Sequence, residues 1–526
     1  MENGLTLCQL IIYLLPIILY LKSNNFRNKI DSIEKFLSKL HDGTFIIFCF
    51  VFMFIAAIFM LNEGSNWGGD FSLYIAQARA ILTGEIDPWL EKQSFIIAHS
   101  PPGFSPLMYP WVTSLFIVPI YALAGFNLYA FKLLSVFFMA AAWSILFCLF
   151  RMKESFVTAA VLVGILIFNA NYLFVIDNVI SEFPYLFLSV LAIFLLYKRQ
   201  ATKNFQLYGV LVGAAIFLSV NTRALGIALL LALIVEDVLS LLKNFSTKNF
   251  ALKKIFPYTI PYITYGILSV IFSQCLPQIP IQNNEGYLVT FSFKPTDIFS
   301  QAIYYVRTFG TLFLVDLKSM YFVEPENIFY PLAGIFIIVL AIYGAIKNFA
   351  TNRFLVFYVT ITFAIILAFH EQSGLRYVFG IIPFVIYFMY KGVESFRLPE
   401  LKKLLAVSIV SVSFIFSVGT IIFLNVTGWS SNQAYTSEAV ETYEFINKNI
   451  PDDKVIYFFK PRVLYLNTNV YSYFRWEDSE DSLQWADYVL LTEGDLYPKL
   501  AETLKNNNKY AHIYGNKTFD LYRVIK

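Results

Sequence analysis

The chain has 526 residues, 58% of them hydrophobic and only 14% charged. A soluble globular domain is nearer half apolar and a quarter charged, so this composition excludes a mainly soluble protein. The formal net charge of +3 is too small to imply a nucleic-acid partner, and the four cysteines, Cys8, Cys49, Cys148 and Cys275, sit in or beside apolar runs without metal-ligand or disulfide spacing.

In chain order, apolar runs readable as membrane helices occupy 5–22, 44–61, 107–125, 130–150, 156–175, 181–197, 207–221, 224–242, 255–275, 329–346, 354–370, 376–390 and 403–425. The first lacks a basic leader and a convincing cleavage site, so it reads as a membrane segment rather than a signal peptide. Basic clusters at Lys22 to Lys39, Arg151–Lys153, Lys198–Lys203, Lys243–Lys254, Lys347–Arg353 and Lys391–Lys403 belong in the cytoplasm. The alternation closes only if 107–125, with Pro110 and Pro119, does not cross alone and is re-entrant or interfacial. About twelve crossings then remain. Residues 62–106, 176–180, 221–223, 276–328, 371–375 and everything after 425 fall outside.

Three regions follow. Residues 1–43 are an extra N-terminal membrane helix and a cytoplasmic loop. Residues 44–425 are the main membrane domain, with outer loops 62–106 and 276–328. Residues 430–526 are a soluble α/β tail. The first outer loop carries one amphipathic helix, with Phe71, Ile75, Ala78 and Leu82 along one side. In the tail, "SEAVETYEFINKNI" and "LYPKLAETLKNN" read as helices and "KVIYFF" and "YVLLT" as buried strands. "KYAHIYGNKTFDLYRV" reads as a closing hairpin turning at Gly515-Asn516. Asp478, Glu480 and Asp481 read as a solvated loop. No internal repeat is evident.

Charged groups at membrane boundaries are costly and mark function. The outer ends hold Asp70, His99, Asp177, Glu182, Arg223, His370, Glu371, Arg376 and Tyr377. Converging in one cavity, such groups could deprotonate an acceptor and hold an anionic phosphate. Simpler readings stand beside this one. Asp70 suits an N-cap for "FSLYIAQARAIL". Glu182 favours the N-terminal dipole of an apolar helix, whereas Arg376 opens a helix at the end unfavourable to a cation. Arg223 suits a snorkelling side chain. Asp87, Glu85 and Glu91 look like a solvated face. His370 and Glu371 are too close in sequence to share one metal ion readily.

The serial order of "GGDFSLYIAQARAIL", "HSPPGFSPLMYPW", "FKLLSVFFMAAAW" with Lys132, "NVISEFPYLFLSVLAIFLLY", "VNTRALGIALLLALIVE" and "GLRYVFGIIPFVIYF" resembles the integral-membrane glycosyltransferase C superfamily. The likeness covers roughly residues 44 to 425 and points to the branch of bacterial aminoarabinose transferases and protein O-mannosyltransferases. The chain departs from that pattern in having a single Asp70 preceded by Gly69, and Ser100 between His99 and the Pro-Pro pair.

The resemblance implies an α-helical polytopic membrane protein of about 12–13 transmembrane helices with a C-terminal extracytoplasmic α/β domain. It implies a polyprenyl-phosphate-linked sugar donor and a glycan, lipid or protein acceptor at the outer face of a bacterial cytoplasmic membrane. Asp70 would be the catalytic base or orient the acceptor. Glu182 would position the acceptor, or a divalent cation, with no other cofactor implied. Arg376, Arg223 and His99 would neutralise the lipid phosphate, with Asp177 and Tyr377 lining the substrate site. Rival readings are a polysaccharide ligase or polymerase of another membrane fold, a polytopic transporter or flippase, and a scaffold displaying the tail. A transporter would place polar groups near the midplane, where Asn169 and Asn171 are moderately deep.

Overall fold

A computed structural model describes residues 2–101, 104–246, 256–278, 291–314, 327–370, 372, 374–396, 399–426, 432–492 and 497–525. Among them, six helices are long and apolar enough to cross a membrane: Asp42–Met60, Leu128–Arg151, Ala224–Lys243, Phe329–Lys347, Phe349–Ala368 and Lys402–Val426. Shorter apolar helices include Ile11–Lys22, Val112–Ala124, Phe156–Ile167 and Phe205–Val220. The chain is a multi-pass helical membrane protein. Val112–Ala124 has 13 residues. At about 1.5 Å per residue it is shorter than the ~30 Å hydrocarbon core.

The apolar runs locate the helices, but breaks inside them depart from expectation. The run at 156–175 divides into Phe156–Ile167 and Ala170–Val175, with Asn169 capping the second through a 3.0 Å bond from the Asn171 N–H. Asn169 and Asn171 also donate to the carbonyls of Leu312 (2.7 Å) and Thr311 (3.1 Å) just past the helix Pro295–Gly310. Their depth serves the backbone of a broken helix. Arg376 does not open a helix. It lies in the 3-10 turn Gly374–Val378, and the helix begins at Ile382 with Pro383 in its first turn. Within 1–43, the stretch after the first apolar run forms an amphipathic helix, Asn24–Leu37, started by Ser23.

Four of the basic clusters are linked by side-chain contacts among the described residues. Arg151 pairs with Asp42 (2.9 Å), Lys153 donates to Asn352 (2.6 Å), Lys391 pairs with Glu154 (2.6 Å), and Lys403 bridges Asp31 and Glu34.

The first outer loop contains two helices rather than one. Gly69–Thr83 stops at Gly84, whose left-handed φ of 75° a side chain would disfavour, and Ile86–His99 follows. Asp87 and Glu91 therefore belong to a helix, and Glu91 accepts a 2.7 Å bond from Tyr471 of the tail.

The tail forms a five-stranded sheet of order β2-β1-β3-β5-β4. The strands are β1 (Val455–Tyr457), β2 (Tyr471–Tyr473), β3 (Tyr488–Thr492), β4 (Tyr510–Gly515) and β5 (Phe519–Val524). β1 pairs in parallel with β2 and β3, and β3–β5–β4 are antiparallel. Strand alternation sorts the core into two faces. Ile456, Leu490 and Leu521 pack with Tyr443 and Leu464 on one side, and Tyr457, Val489 and Tyr522 pack with Leu500 and Leu504 on the other. The crossover helix Pro461–Thr468 and β2 are additions to the expected elements. Asp478 is not simply solvated: its carboxylate accepts from the N–H groups of Lys499 (3.0 Å) and Leu500 (2.8 Å), capping Pro498–Asn506.

The tail is not detached from the membrane domain. Val463, Tyr465 and Leu466 share a core with Phe71, Tyr74 and Ile75 of the first outer loop. Arg79 donates to the Leu466 carbonyl (2.9 Å), and Arg462 to Ser105 Oγ and the Pro106 carbonyl (both 2.5 Å).

Candidate active site

Four charged side chains, from four distant parts of the chain, meet below the tail. Asp70 stands in the first turn of Gly69–Thr83, where Gly68, not Asp70, is the N-cap. A carboxylate in that turn suits the helix dipole, but its oxygens face elsewhere. Oδ1 accepts from the Tyr109 hydroxyl at 2.8 Å and Oδ2 from Arg376 Nη2 at 2.7 Å. Tyr109 is itself fixed: its ring stacks on Tyr74 at 4.9 Å, and its backbone carbonyl and N–H bond to the Gln77 amide at 3.0 and 3.3 Å. Prolines on both sides of this stretch, Pro106 and Pro110, favour the extended backbone that presents Tyr109.

Glu182 begins the helix Glu182–Ala201 and its side chain is 1% exposed. Its Oε1 accepts from Arg376 Nε at 2.6 Å and from Arg223 Nη1 at 3.0 Å. Its Oε2 is buried with no hydrogen-bond partner among the described residues. Arg376 therefore bridges both carboxylates. The left-handed Gly374 (φ 57°), whose N–H donates to the Tyr304 hydroxyl at 2.7 Å, sets up the turn that delivers it. Arg223 follows the helix Phe205–Val220, donates to Ser181 Oγ at 3.2 Å, and lies 4.9 Å over the Tyr377 ring. It is committed to Glu182 rather than snorkelling. Gly226 makes that corner, because a Cβ there would lie 2.6 Å from the Ser219 carbonyl carbon.

Two carboxylates and two guanidiniums give a cluster of zero net charge. Burial raises the Asp70 carboxyl, but the Arg376 guanidinium and the hydrogen bonds from Arg376 and Tyr109 outweigh it and hold Asp70 below its usual range. Asp70 is thus ionised at neutral pH, and its side chain is 35% exposed whereas that of Glu182 is sealed. The arrangement offers one accessible carboxylate, and two cations able to meet an anion.

The structure brings Asp70, Glu182, Arg223, Arg376 and Tyr377 together. Asp177 is held by the buried Lys132 (2.6 Å) and by the Asn62 N–H (3.0 Å), and Lys132 also donates to the Asn62 carbonyl (2.9 Å). This joins the end of Asp42–Met60 to Leu128–Arg151 and to the loop before Glu182. His99 stacks on Phe95 at 4.0 Å, meets the Trp485 edge at 4.8 Å, and bonds through Nδ1 to the Phe95 carbonyl at 2.8 Å. Its described contacts are with the tail interface, so it is set against aromatic rings and not against the two arginines. Among the described residues no three His, Cys, Asp or Glu side chains converge as a metal site, and Glu371 lies outside them. A divalent cation would have to compete with Arg376 for Asp70 Oδ2, while Glu182 Oε2 has no partner among the described residues. Tyr109 and Gln77 were not legible as site residues, although the proline-flanked tyrosine is a signal of a fixed extended segment.

No family model matches the chain, and no curated protein sequence matches it. Solved structures do. ArnT from Cupriavidus metallidurans bound to undecaprenyl phosphate superposes with a TM-score of 0.55 at 11% identity, over 91% of this chain and 97% of that one. The Archaeoglobus fulgidus oligosaccharyltransferase in complex with Zn and sulfate gives a TM-score of 0.55 at 12% identity, over 91% of this chain and 73% of that one. The chain has a glycosyltransferase C fold. In this glycosyltransferase C fold the likeness extends past the membrane helices into the tail, since it covers nine-tenths of the chain. It sets aside a membrane ligase of another fold.

Proposed function

We propose that the protein is a glycosyltransferase that moves a sugar from a polyprenyl-phosphate donor to a glycan, lipid or protein acceptor at the outer face of a bacterial cytoplasmic membrane. The observation that carries this reading is the Arg376 bridge, in which a guanidinium able to meet a phosphate is held 2.7 Å from the partly exposed Asp70 carboxylate. The solved neighbours support a lipid-linked donor: ArnT was crystallised with undecaprenyl phosphate and the archaeal AglB with a dolichol-phosphate and an inhibitory peptide.

The chemistry is displacement at the anomeric carbon. The acceptor hydroxyl or amine forms the new bond to that carbon and gives its proton to Asp70. The bond to the phosphate oxygen breaks, and polyprenyl phosphate departs with the electron pair. Arg376 and Arg223 stabilise the charge that grows on the leaving group. At rest Asp70 is a weak base, because Arg376 and Tyr109 favour its ionised form. A donor phosphate that draws Arg376 away removes the larger part of that stabilisation, and burial then makes Asp70 more basic when the acceptor arrives. Glu182, sealed between both arginines, holds them in place and orients the acceptor side of the site.

The test is to compare lipid-linked saccharides, glycans and glycoproteins between a deletion strain and its parent. One missing glycoconjugate together with accumulated polyprenyl-phosphate sugar is expected. Unchanged profiles in all three fractions contradict the reading.

A further inference from the structure

The neutral cluster leaves a charge unanswered, because a departing polyprenyl phosphate brings negative charge that Arg223 and Arg376 must share with two carboxylates. A further cation stands beside it, on the tail. Lys460 immediately precedes the helix Pro461–Thr468, and its carbonyl accepts from the Val463 and Leu464 N–H groups, both at 3.1 Å. Its neighbours anchor the segment on both sides. Phe458 and Phe459 pack edge-on against Trp67 at 5.7 and 5.1 Å, three residues before Asp70. Arg462 is tied to Ser105 and Pro106, just before Tyr109. Lys460 is therefore held over the gap between the two segments that supply Asp70 and its hydroxyl partner.

Its side chain is partly buried and makes no ion pair or hydrogen bond with any described residue. Burial lowers its pKa and the Asp70 charge raises it, so the ammonium is within electrostatic reach of that carboxylate. The ammonium lies 5.9 Å from the Phe459 ring centroid, and a partly desolvated cation without an anionic partner is suited to take up an anion.

We propose that Lys460, contributed by the tail, is a direct contact for the phosphate of the lipid-linked donor. The proposal rests on the glycosyltransferase reading above and names the third cation of its site. The tail then completes the donor site as well as covering it.

The test uses the purified full chain in detergent, with undecaprenyl phosphate as probe and uncharged undecaprenol as control. Binding is followed for the wild type, Lys460→Gln and Lys460→Arg, with a lipid-free thermal melt for each. Loss of one charge-assisted phosphate contact is expected to weaken undecaprenyl phosphate binding about tenfold or more in Lys460→Gln. Lys460→Arg should restore most of the affinity, and undecaprenol binding should not change. Equal phosphate affinity in wild type and Lys460→Gln overturns the proposal while leaving the glycosyltransferase reading intact. An equal loss for undecaprenol also overturns it, since the role would then be packing. Absence of undecaprenyl phosphate binding by the wild type overturns the donor reading, and this inference with it.

Discussion

Arg376 and Asp70 are 306 positions apart in sequence and 2.7 Å apart in space. The same guanidinium holds Glu182 at 2.6 Å, so one side chain joins the loop 62–106, the start of the helix Glu182–Ala201 and the turn before Ile382–Ser395. The site is a closed ion network, which on the proposed reading a donor phosphate opens.

Replacing Arg376 with Gln removes the strongest interactions that lower the Asp70 pKa and leaves only the Tyr109 hydrogen bond and the Arg223 charge against burial, which raises it. The acid limb of kcat/KM reports the free enzyme. In the wild type it should lie below the ordinary carboxylate value of about 3.9. In Arg376→Gln it should move to higher pH, with weaker donor binding. An acid limb at the same pH in both forms contradicts the assignment of that limb to Asp70.

Lys132 and Asp177 act as a structural latch. Breaking a buried ion pair from one side typically costs about 3–5 kcal/mol. Lys132→Met and Asp177→Leu are each expected to lower the melting temperature strongly. The double variant should lose less than the sum of the two, because neither charge is left buried alone. Additive losses contradict the latch.

Asp478 is expected to matter to the tail and not to transfer. Asp478→Ala removes the cap of Pro498–Asn506, a loss of about 1 kcal/mol, while turnover of the folded protein stays near wild type. A fall in turnover comparable to that of an Asp70 variant would relocate the chemistry to the tail.

The orientation is testable by cysteine accessibility in a cysteine-free background. Cysteines at the exposed Lys294 and Asp453 should react with an impermeant reagent in intact cells, with any outer membrane permeabilised, and one at the exposed Lys35 should not. Gly310, expected from the sequence to lie outside, is a poor probe, since it is buried and a Cβ there would meet the Tyr330 carbonyl oxygen at 1.9 Å. Protection of position 453 with labelling of position 35 inverts the topology.

Hydropathy made the membrane helices legible, short continuous apolar runs did the same for β1 and β3, and the Gly515-Asn516 turn marked the hairpin. Breaks were less legible. The division at Asn169 depends on carbonyls of Leu312 and Thr311, more than a hundred residues away. The helix Ile86–His99 mixes Asp87, Pro88, Glu91 and Lys92 with apolar residues because the tail covers part of its surface. Residue type singled out Asp70, Glu182, Arg223 and Arg376, since charges at membrane boundaries need a reason. Nothing local revealed that Arg376 joins two of them, or that His99 and Asp177 serve the tail junction and a latch. Lys460 escaped because it looks like any lysine on a soluble tail until Trp67 and Ser105 place its segment.

The Asp70→Asn enzyme tests the central claim most directly. Asn retains the shape and can still accept a hydrogen bond from Tyr109, but it removes the base and the charge paired with Arg376. Transfer by the purified variant in detergent, beside a thermal melt and undecaprenyl phosphate binding, is the measurement. The expected result is a fall in transfer of roughly 10²–10⁴-fold, the usual contribution of general-base catalysis, with folding and donor binding retained. Wild-type transfer by a variant with an unchanged melt would contradict the assignment of Asp70 as the base.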